Sequence, residues 1–159
     1  MHKISLRKIK SSDKKYFAKW WRDKELLKLT SGILKLISDR EIDKYFQNIL
    51  NNKKDHHFIT TFNEKVIGHI SLVNRKNGWY ETQIVIGEKK YQGKGCGSAA
   101  IRFLIRKTKR LGISKVYLEV RPTNIRAIHA YKHCGFRKVK TVLYAKNKYL
   151  PKTLRMELE

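Results

Sequence analysis

The 159-residue sequence is poor in cysteine and in acidic residues, and it contains no long hydrophobic run. Its two cysteines, Cys96 and Cys134, provide neither a disulfide framework nor the spacing of a metal site. No stretch approaches the roughly 18 apolar residues that a membrane-spanning helix needs. The N-terminus lacks the apolar segment of a secretory signal. We therefore expect a cytoplasmic protein that binds no metal and no membrane.

Acidic residues are strongly outnumbered: 13 Asp and Glu stand against 37 Lys and Arg, a formal net charge of +24. Such a balance is typical of proteins that contact polyanions, including nucleic acid and the ribosome. It also fits lysines spread over every solvated surface, because they are scattered from Lys8 to Lys152 without a basic tail. Both interpretations stay open on charge alone.

The rest of the composition is typical of a globular protein. Apolar residues make up 41% of the chain, and three tryptophans are present. No internal repeat and no linker is visible. We therefore predict that residues 1–159 form a single domain with a sizeable core.

The first third of the chain reads as a strand followed by helices. Alternation between Ile4 and Ile9 predicts a strand, and residues 11–13 have the side chains of a helix N-cap. A capping box at residues 38–41 opens a further helix. The residues predicted to face inward on that helix are Ile42, Tyr45, Phe46 and Ile49. Residues 23–36 are ambiguous, with a loop expected at residues 30–32.

The remaining pattern is mostly one of strands. A hairpin is predicted from residues 57–62 and 66–73, and the turn signal Asn77-Gly78 leads into a strand over residues 79–86. Further strands are predicted at residues 116–120, 139–144 and 154–158. The strand at the C-terminus is expected to form an exposed edge, which suits either a monomer or a homodimer.

The most informative stretch runs from residue 84 to residue 111. A short β-branched strand leads into Gln92-Gly93-Lys94-Gly95-Cys96-Gly97, and an apolar helical stripe follows from Ser98 to Leu111. The first turn of a helix has N–H groups without partners and a positive dipole end, so it attracts phosphate. Glycines let the backbone approach such a ligand, and Lys94 adds a cation. The spacing is not that of a P-loop or of the dinucleotide-binding motif.

Two segments together carry a family resemblance. Gln92-x-x-Gly95-x-Gly97 resembles the acetyl-CoA pyrophosphate motif of the GNAT superfamily of N-acetyltransferases. Residues 124–136, NIRAIHAYKHCGF, resemble the family segment N-x-x-A-x-x-x-Y-x-x-x-G-F, which packs beside the CoA thiol. The resemblance implies an α/β (α+β) fold with a mixed, mostly antiparallel sheet of six or seven strands and about four helices. It also implies a splayed central strand pair.

The resemblance further implies acetyl-CoA as the donor, without a metal. The residues expected at its pyrophosphate are Gln92, Gly93, Lys94, Gly95, Cys96, Gly97 and Ser98. Asn124 is expected to hold the pantetheine arm, with Ala127 in the same segment beside the thiol. Val85, Ile86 or Gly87 is expected to offer the backbone N–H that stabilises the oxyanion formed in acetyl transfer.

The resemblance implies proton-transfer roles for two side chains. Tyr131 occupies the position of the general acid that protonates the departing thiolate, in a direct attack within a ternary complex. Glu81 resembles an acidic residue that many relatives place on the strand entering the site, where it acts as general base. The competing candidates are Glu119, His69, His129 and ordered water.

The acceptor is less well specified than the donor. Both motif blocks resemble the branch that contains ribosomal-protein N-terminal acetyltransferases, which implies a protein N-terminus or an amino sugar as acceptor. A net charge of +24 would repel polyamines and aminoglycosides at long range unless the pocket itself were acidic. A polyamine or aminoglycoside acceptor, and a non-catalytic module that binds nucleic acid on the same fold, are the alternatives.

Overall fold

The computed structural model describes residues 3–30 and 35–159, in which seven strands and five helices follow one another. The strands are β1 (Ile4–Lys8), β2 (His56–Phe62), β3 (Lys65–Asn74), β4 (Trp79–Ile86), β5 (Lys115–Val120), β6 (Phe136–Leu143) and β7 (Lys152–Leu158). The helices are α1 (Lys14–Trp21), α2 (Lys24–Thr30), α3 (Asp39–Asn51), α4 (Cys96–Arg110) and α5 (Ile125–His133). None of these helices is long and apolar enough to cross a bilayer.

All seven strands form one sheet in the order β1-β2-β3-β4-β5-β7-β6. Every neighbouring pair is antiparallel except β4 and β5, which run parallel. The parallel pair is short, because its register ends where Glu81 lies opposite Tyr117. Beyond that point, residues 82–86 of β4 and 118–120 of β5 diverge and leave an opening, which we call the gap. The mixed sheet and the splayed central pair are thus confirmed.

Helices pack on both faces of the sheet. On one face, α4 and α5 bury Ala100, Leu104 and Ile128 against the strand residues Leu118 and Met156, and we call this the α4 face. On the other, the α1 face, the helices α1 and α3 cover β2. Their contact residues are Phe17, Phe46 and Ile59, each with no more than 1% of its surface exposed.

The capping box that opens α3 is confirmed. Glu41 N–H donates to Ser38 Oγ at 3.2 Å, and Ser38 N–H donates to Glu41 Oε2 at 3.0 Å. The predicted burial of Tyr45 is wrong, since 47% of this residue is exposed. It lies at the flank of the apolar stripe and covers the edge of Trp21, with ring centroids 6.3 Å apart. Leu111 is likewise 46% exposed, because it is the C-cap of α4 rather than part of its stripe.

The predicted N-cap at residues 11–13 is confirmed in its position only. Asp13 is the N-cap residue of α1, but its side chain makes no bond to the N–H groups of the helix. Its carboxylate turns back instead, accepting from Lys10 N–H at 2.8 Å and from both terminal nitrogens of Arg7 at 2.7 and 2.9 Å. These charge-assisted bonds account for a carboxylate that is only 2% exposed.

Three further expectations differ from the structure or lie partly outside the described residues. The ambiguous region contains a fifth helix, α2, and of the loop expected at residues 30–32 only Thr30 is described, as the last residue of α2. Residues 31 and 32 lie outside the described ranges. The C-terminal strand β7 is not an edge, because it lies between β5 and β6, so that β6 forms this edge of the sheet.

Candidate active site

The backbone of β4 alternates between two partners, and this alternation decides which groups face the gap. Gly87 N–H donates to Ile67 O of β3 at 2.9 Å. In an antiparallel pair only every second residue exchanges hydrogen bonds with its neighbour, so Val85, opposite His69, also faces β3. Ile84 and Ile86 therefore direct their N–H and C=O groups away from β3 and into the gap.

This alternation distinguishes between the three residues that are expected to supply the backbone N–H for the oxyanion. Gly87 N–H is occupied and Val85 faces β3, whereas Ile86 faces the gap. The backbone groups of Ile84 also face the gap, which the sequence did not predict. The side to which each β4 residue directs its backbone groups depends on the register with β3, and the sequence of β4 alone does not contain this register. Gln92 reinforces the arrangement by donating its side-chain amide to Ile86 O at 2.8 Å.

The glycine-rich turn leaves the start of α4 uncapped. Gly95 is the N-cap with a φ of 82°, which favours glycine, and no side chain caps the helix. Ala99 N–H bonds Gly95 O at 3.0 Å, as an α-helix requires. The N–H groups of Cys96, Gly97 and Ser98 consequently have no acceptor within the helix. Such a row of free donors at a positive helix end fits a pyrophosphate.

A cation that the sequence did not single out lies against this turn. A Cβ built on Gly93 would come within 2.9 Å of Arg126 Nη1, so the Arg126 guanidinium sits directly beside the turn. Together with Lys94 it places positive charge around the free N–H groups. Its position two residues after Asn124 was the available signal, but an arginine there is hard to distinguish from the many other surface cations.

The second motif brings α5 to the same place. Asn124 is the N-cap of α5, with its Oδ1 accepting from Ala127 N–H at 3.3 Å. At the other end of α5, Cys134 Sγ lies 3.7 Å from Ser98 O at the start of α4. The two segments that carry the resemblance are therefore adjacent in space.

Tyr131 lies between these two ends of α5. Its ring packs against the core of the α4 face, with an edge-to-face contact to Phe136 at a centroid distance of 6.1 Å. Burial, with a smaller contribution from Cys134, raises the pKa of Tyr131 to about 12. The phenol is thus protonated at neutral pH, as a proton donor must be.

Glu81 is not brought together with the glycine turn. It lies three residues before Ile84, about 10 Å along the strand, and its side chain points to the α1 face. The carboxylate is buried and accepts from Arg75 Nη2 at 2.7 Å and from Gln83 Nε2 at 3.3 Å. Glu81 therefore lies where the gap begins and away from the uncapped start of α4.

The competing base candidates differ in their surroundings. His69 Nε2 lies 3.0 Å from His57 Nδ1, and burial lowers the pKa of His69 to about 3, which makes it a weak base. His129 is exposed on α5. Glu119 on β5 accepts from two hydroxyl groups, those of Tyr144 and Thr153.

The His69 pKa has a consequence for stability. The unfolded chain binds a proton at His69 near pH 6.5, while the folded chain resists it until about pH 3. Above pH 6.5 we therefore expect no effect of His69 protonation on the free energy of unfolding. Below pH 6.5 we expect the free energy of unfolding to fall by about 1.4 kcal/mol per pH unit. Urea unfolding at pH 7.5 and pH 5.5 measures this loss. His69→Gln should reduce it, whereas His129→Gln should not; equal pH dependence in all three proteins would contradict the assignment.

Within residues 3–30 and 35–159, no three His, Cys, Asp or Glu side chains come together in a way that would hold a metal ion. The site therefore consists of the gap, the uncapped start of α4 and the side chains of α5.

Comparison with known proteins agrees with this geometry. Residues 14–136 match the model of the acetyltransferase (GNAT) family. A search of curated proteins finds no significant match. Spermidine N-acetyltransferase from Vibrio cholerae, solved with CoA and spermine, is 20% identical with a TM-score of 0.84, covering 98% of this chain and 94% of that one.

Two other solved structures are similar. A domain from Methanocaldococcus jannaschii is 19% identical, with a TM-score of 0.81 and 99% of both chains covered. The aminoglycoside acetyltransferase AAC(6')-Ib, solved with paromomycin and acetyl-CoA, is 18% identical with a TM-score of 0.79, covering 98% of this chain and 92% of that one. At such identities the structures establish the shared fold, and the family model covers most of the chain. The chain belongs to the GNAT family of acetyltransferases, the N-acetyltransferases that take their acetyl group from acetyl-CoA.

Proposed function

We propose that the protein transfers an acetyl group from acetyl-CoA to a primary amine of a small polycationic acceptor, a polyamine, by direct attack in a ternary complex. The observation that carries the acceptor class is the pair Glu81 and Glu119. They lie on neighbouring strands, on the α1 face, on either side of the point where the gap opens. A protein of charge +24 needs acidic groups near the acceptor if it is to bind a polycation, and Glu119, unlike Glu81, has no cationic partner among the described ion pairs.

In this proposal, the donor acetyl-CoA binds at the α4 face. The N–H groups at residues 96–98, flanked by Lys94 and Arg126, would hold the pyrophosphate. Ile84 and Ile86 would hydrogen-bond the pantetheine arm and the acetyl carbonyl through the gap. Asn124 and Ala127 would position α5 beside the thiol, and Gln92 and Gly93 would shape the turn.

Proton transfer in this proposal involves two groups. Tyr131 would donate to the thiolate, and Glu81 would accept the amine proton through water. A covalent acyl-enzyme is disfavoured, because burial raises the pKa of both Cys96 and Cys134 and keeps these thiols protonated. Direct attack by the amine needs no such nucleophile.

The similar solved structures support a polycationic acceptor, since they include spermidine and aminoglycoside acetyltransferases. The branch of ribosomal-protein N-terminal acetyltransferases has no such support, and a peptide N-terminus is the second candidate, favoured by the resemblance of the two motif blocks and by the net charge. A binding module without catalysis is disfavoured, because both the glycine turn and Tyr131 are retained.

A panel of acceptors tests the proposal. We expect thiol release from acetyl-CoA with spermidine at a kcat/KM at least about tenfold above that with an N-terminal peptide or a simple monoamine, equivalent to about 1.4 kcal/mol. An aminoglycoside extends the panel to a second polycation. Preference for the peptide would overturn the acceptor class, and no thiol release with any amine would overturn the activity.

A further inference from the structure

Glu119 has a hydrogen-bonding environment unlike that of the other acidic residues near the gap. It lies on β5, two residues beyond Tyr117, where pairing with β4 has ended. Tyr144 Oη donates to this carboxylate, 2.6 Å from Oε1 and 2.8 Å from Oε2, and Thr153 Oγ1 donates to Oε1 at 2.6 Å. Two neutral hydroxyl groups, from the β6–β7 connection and from β7, therefore hold it.

The acidic neighbours of Glu119 are paired with cations. Arg75 Nη2 lies 2.7 Å from Glu81, and Arg155 Nε lies 2.8 Å from Glu157. Glu119 belongs to none of the ion pairs found in the part of the chain that the structure describes. In a protein with 37 basic and 13 acidic residues, a half-buried carboxylate without a cation is a notable exception.

The nearest cation by register is directed elsewhere. Arg155 lies opposite Glu119 in the β5–β7 pair. Its guanidinium instead stacks over the Tyr117 ring at 3.7 Å and the Trp79 ring at 4.7 Å, and its Nε bonds Glu157. These contacts occupy Arg155, whose ion pair is with Glu157 and not with Glu119.

Tyr144 is 39% exposed, and its hydroxyl group bonds the carboxylate of Glu119. Burial, with the hydrogen bond to Glu119, raises the pKa of Tyr144 to about 12, and the charge of Glu81 contributes. The hydroxyl group therefore stays a donor at neutral pH. Thr153 also donates to Oε1, so the carboxylate has a second donor besides Tyr144.

We propose that Glu119 binds a second ammonium group of the acceptor, and that Tyr144 covers this carboxylate in the free protein and yields it to the ligand. The inference rests on the proposed function, since it concerns the acceptor of that same site. It makes Glu119 a specificity-determining residue that selects diamines and polyamines over monoamines. An ammonium group in place of the neutral hydroxyl makes the hydrogen bond to this carboxylate one between two opposite charges.

Calorimetric titration of spermidine into the CoA-saturated protein tests the inference, with acetylation assays of spermidine and a monoamine beside it. Glu119→Gln should weaken spermidine binding at least about tenfold while changing the KM of the monoamine less than about twofold. Tyr144→Phe should bind spermidine more tightly, because a competing donor is removed. Glu157→Gln is the matched control, with the same loss of charge on the same face but from a carboxylate already paired with Arg155.

The binding and acetylation results separate the inference about Glu119 from the proposed function. Equal losses in Glu119→Gln and Glu157→Gln, or unchanged spermidine affinity in Glu119→Gln, would overturn the inference. In Glu119→Gln, a lowered kcat with an unchanged KM would also overturn the inference, because it would identify Glu119 as the general base. We expect that result from Glu81→Gln instead. Spermidine binding that depends on Glu119 without any acetylation would leave the inference standing and overturn the proposed function.

Discussion

Gly97→Glu is expected to abolish acetyl-CoA binding while leaving the protein folded. Gly97 lies in the first turn of α4, where free N–H groups would hold the pyrophosphate, and a carboxylate there would repel that anion. A Cβ at this position would meet only Ile84 Cδ1 and Ile86 Cγ1, both at 3.9 Å, which is ordinary contact. An acidic residue at a helix start is itself favourable for the helix, so the fold should persist.

We expect the Kd for acetyl-CoA to rise at least about a hundredfold, roughly 2.7 kcal/mol, as measured by calorimetry. Circular dichroism and thermal unfolding report whether the variant is folded. Gly97→Gln separates charge from size, and Gly97→Ala tests whether the Cβ alone is tolerated. A folded Gly97→Glu protein with unchanged affinity would show that the pyrophosphate binds elsewhere.

Tyr131→Phe is expected to lower kcat by about a hundredfold, in the range that general acids contribute. The pKa of Tyr131 is about 12, whereas an ordinary thiol has a pKa near 8.5. A complete proton transfer to the thiolate is therefore uphill, and the phenol acts as a hydrogen-bond donor while charge develops on sulfur. The ring and its contact with Phe136 are retained in the variant, so packing should change little.

Steady-state kinetics with varied acetyl-CoA separate the two parameters. The loss should appear in kcat and in kcat/KM, with KM nearly unchanged, since the hydrogen bond matters mainly in the transition state. Tyr91→Phe, which removes a phenol from the connection between β4 and α4, is the control. A kcat equal to that of the unaltered protein would mean that Tyr131 does not stabilise the departing thiolate.

The parts of the site that sequence reasoning reached are local ones. The glycine turn and the capping box of α3 depend on residues within a few positions of each other, so their side chains predict their geometry. The hairpin turns are similar: Asn63, Glu64 and Asn77 have positive φ values of 46°, 70° and 59° where the sequence predicted turns.

The parts that it missed depend on contacts between distant segments. The gap-facing parity of Ile84 and Ile86 follows from pairing with β3, and the Glu119–Tyr144 bond joins residues 25 positions apart. Asp13 resembles an N-cap, yet the competing guanidinium of Arg7 decides its bonds. The two carboxylates beside the gap, Glu81 and Glu119, come together only when β4 and β5 are placed side by side.

The central claim is that the start of α4 and the gap form an acetyl-CoA site. Isothermal titration of the purified protein with acetyl-CoA, beside the same titration with a short DNA duplex, tests it most directly. We predict saturable acetyl-CoA binding in the micromolar range, one molecule per chain, that changes little with salt compared with any DNA binding. An absence of acetyl-CoA binding, together with salt-sensitive binding of the duplex, would contradict the account and make the basic surface the functional one.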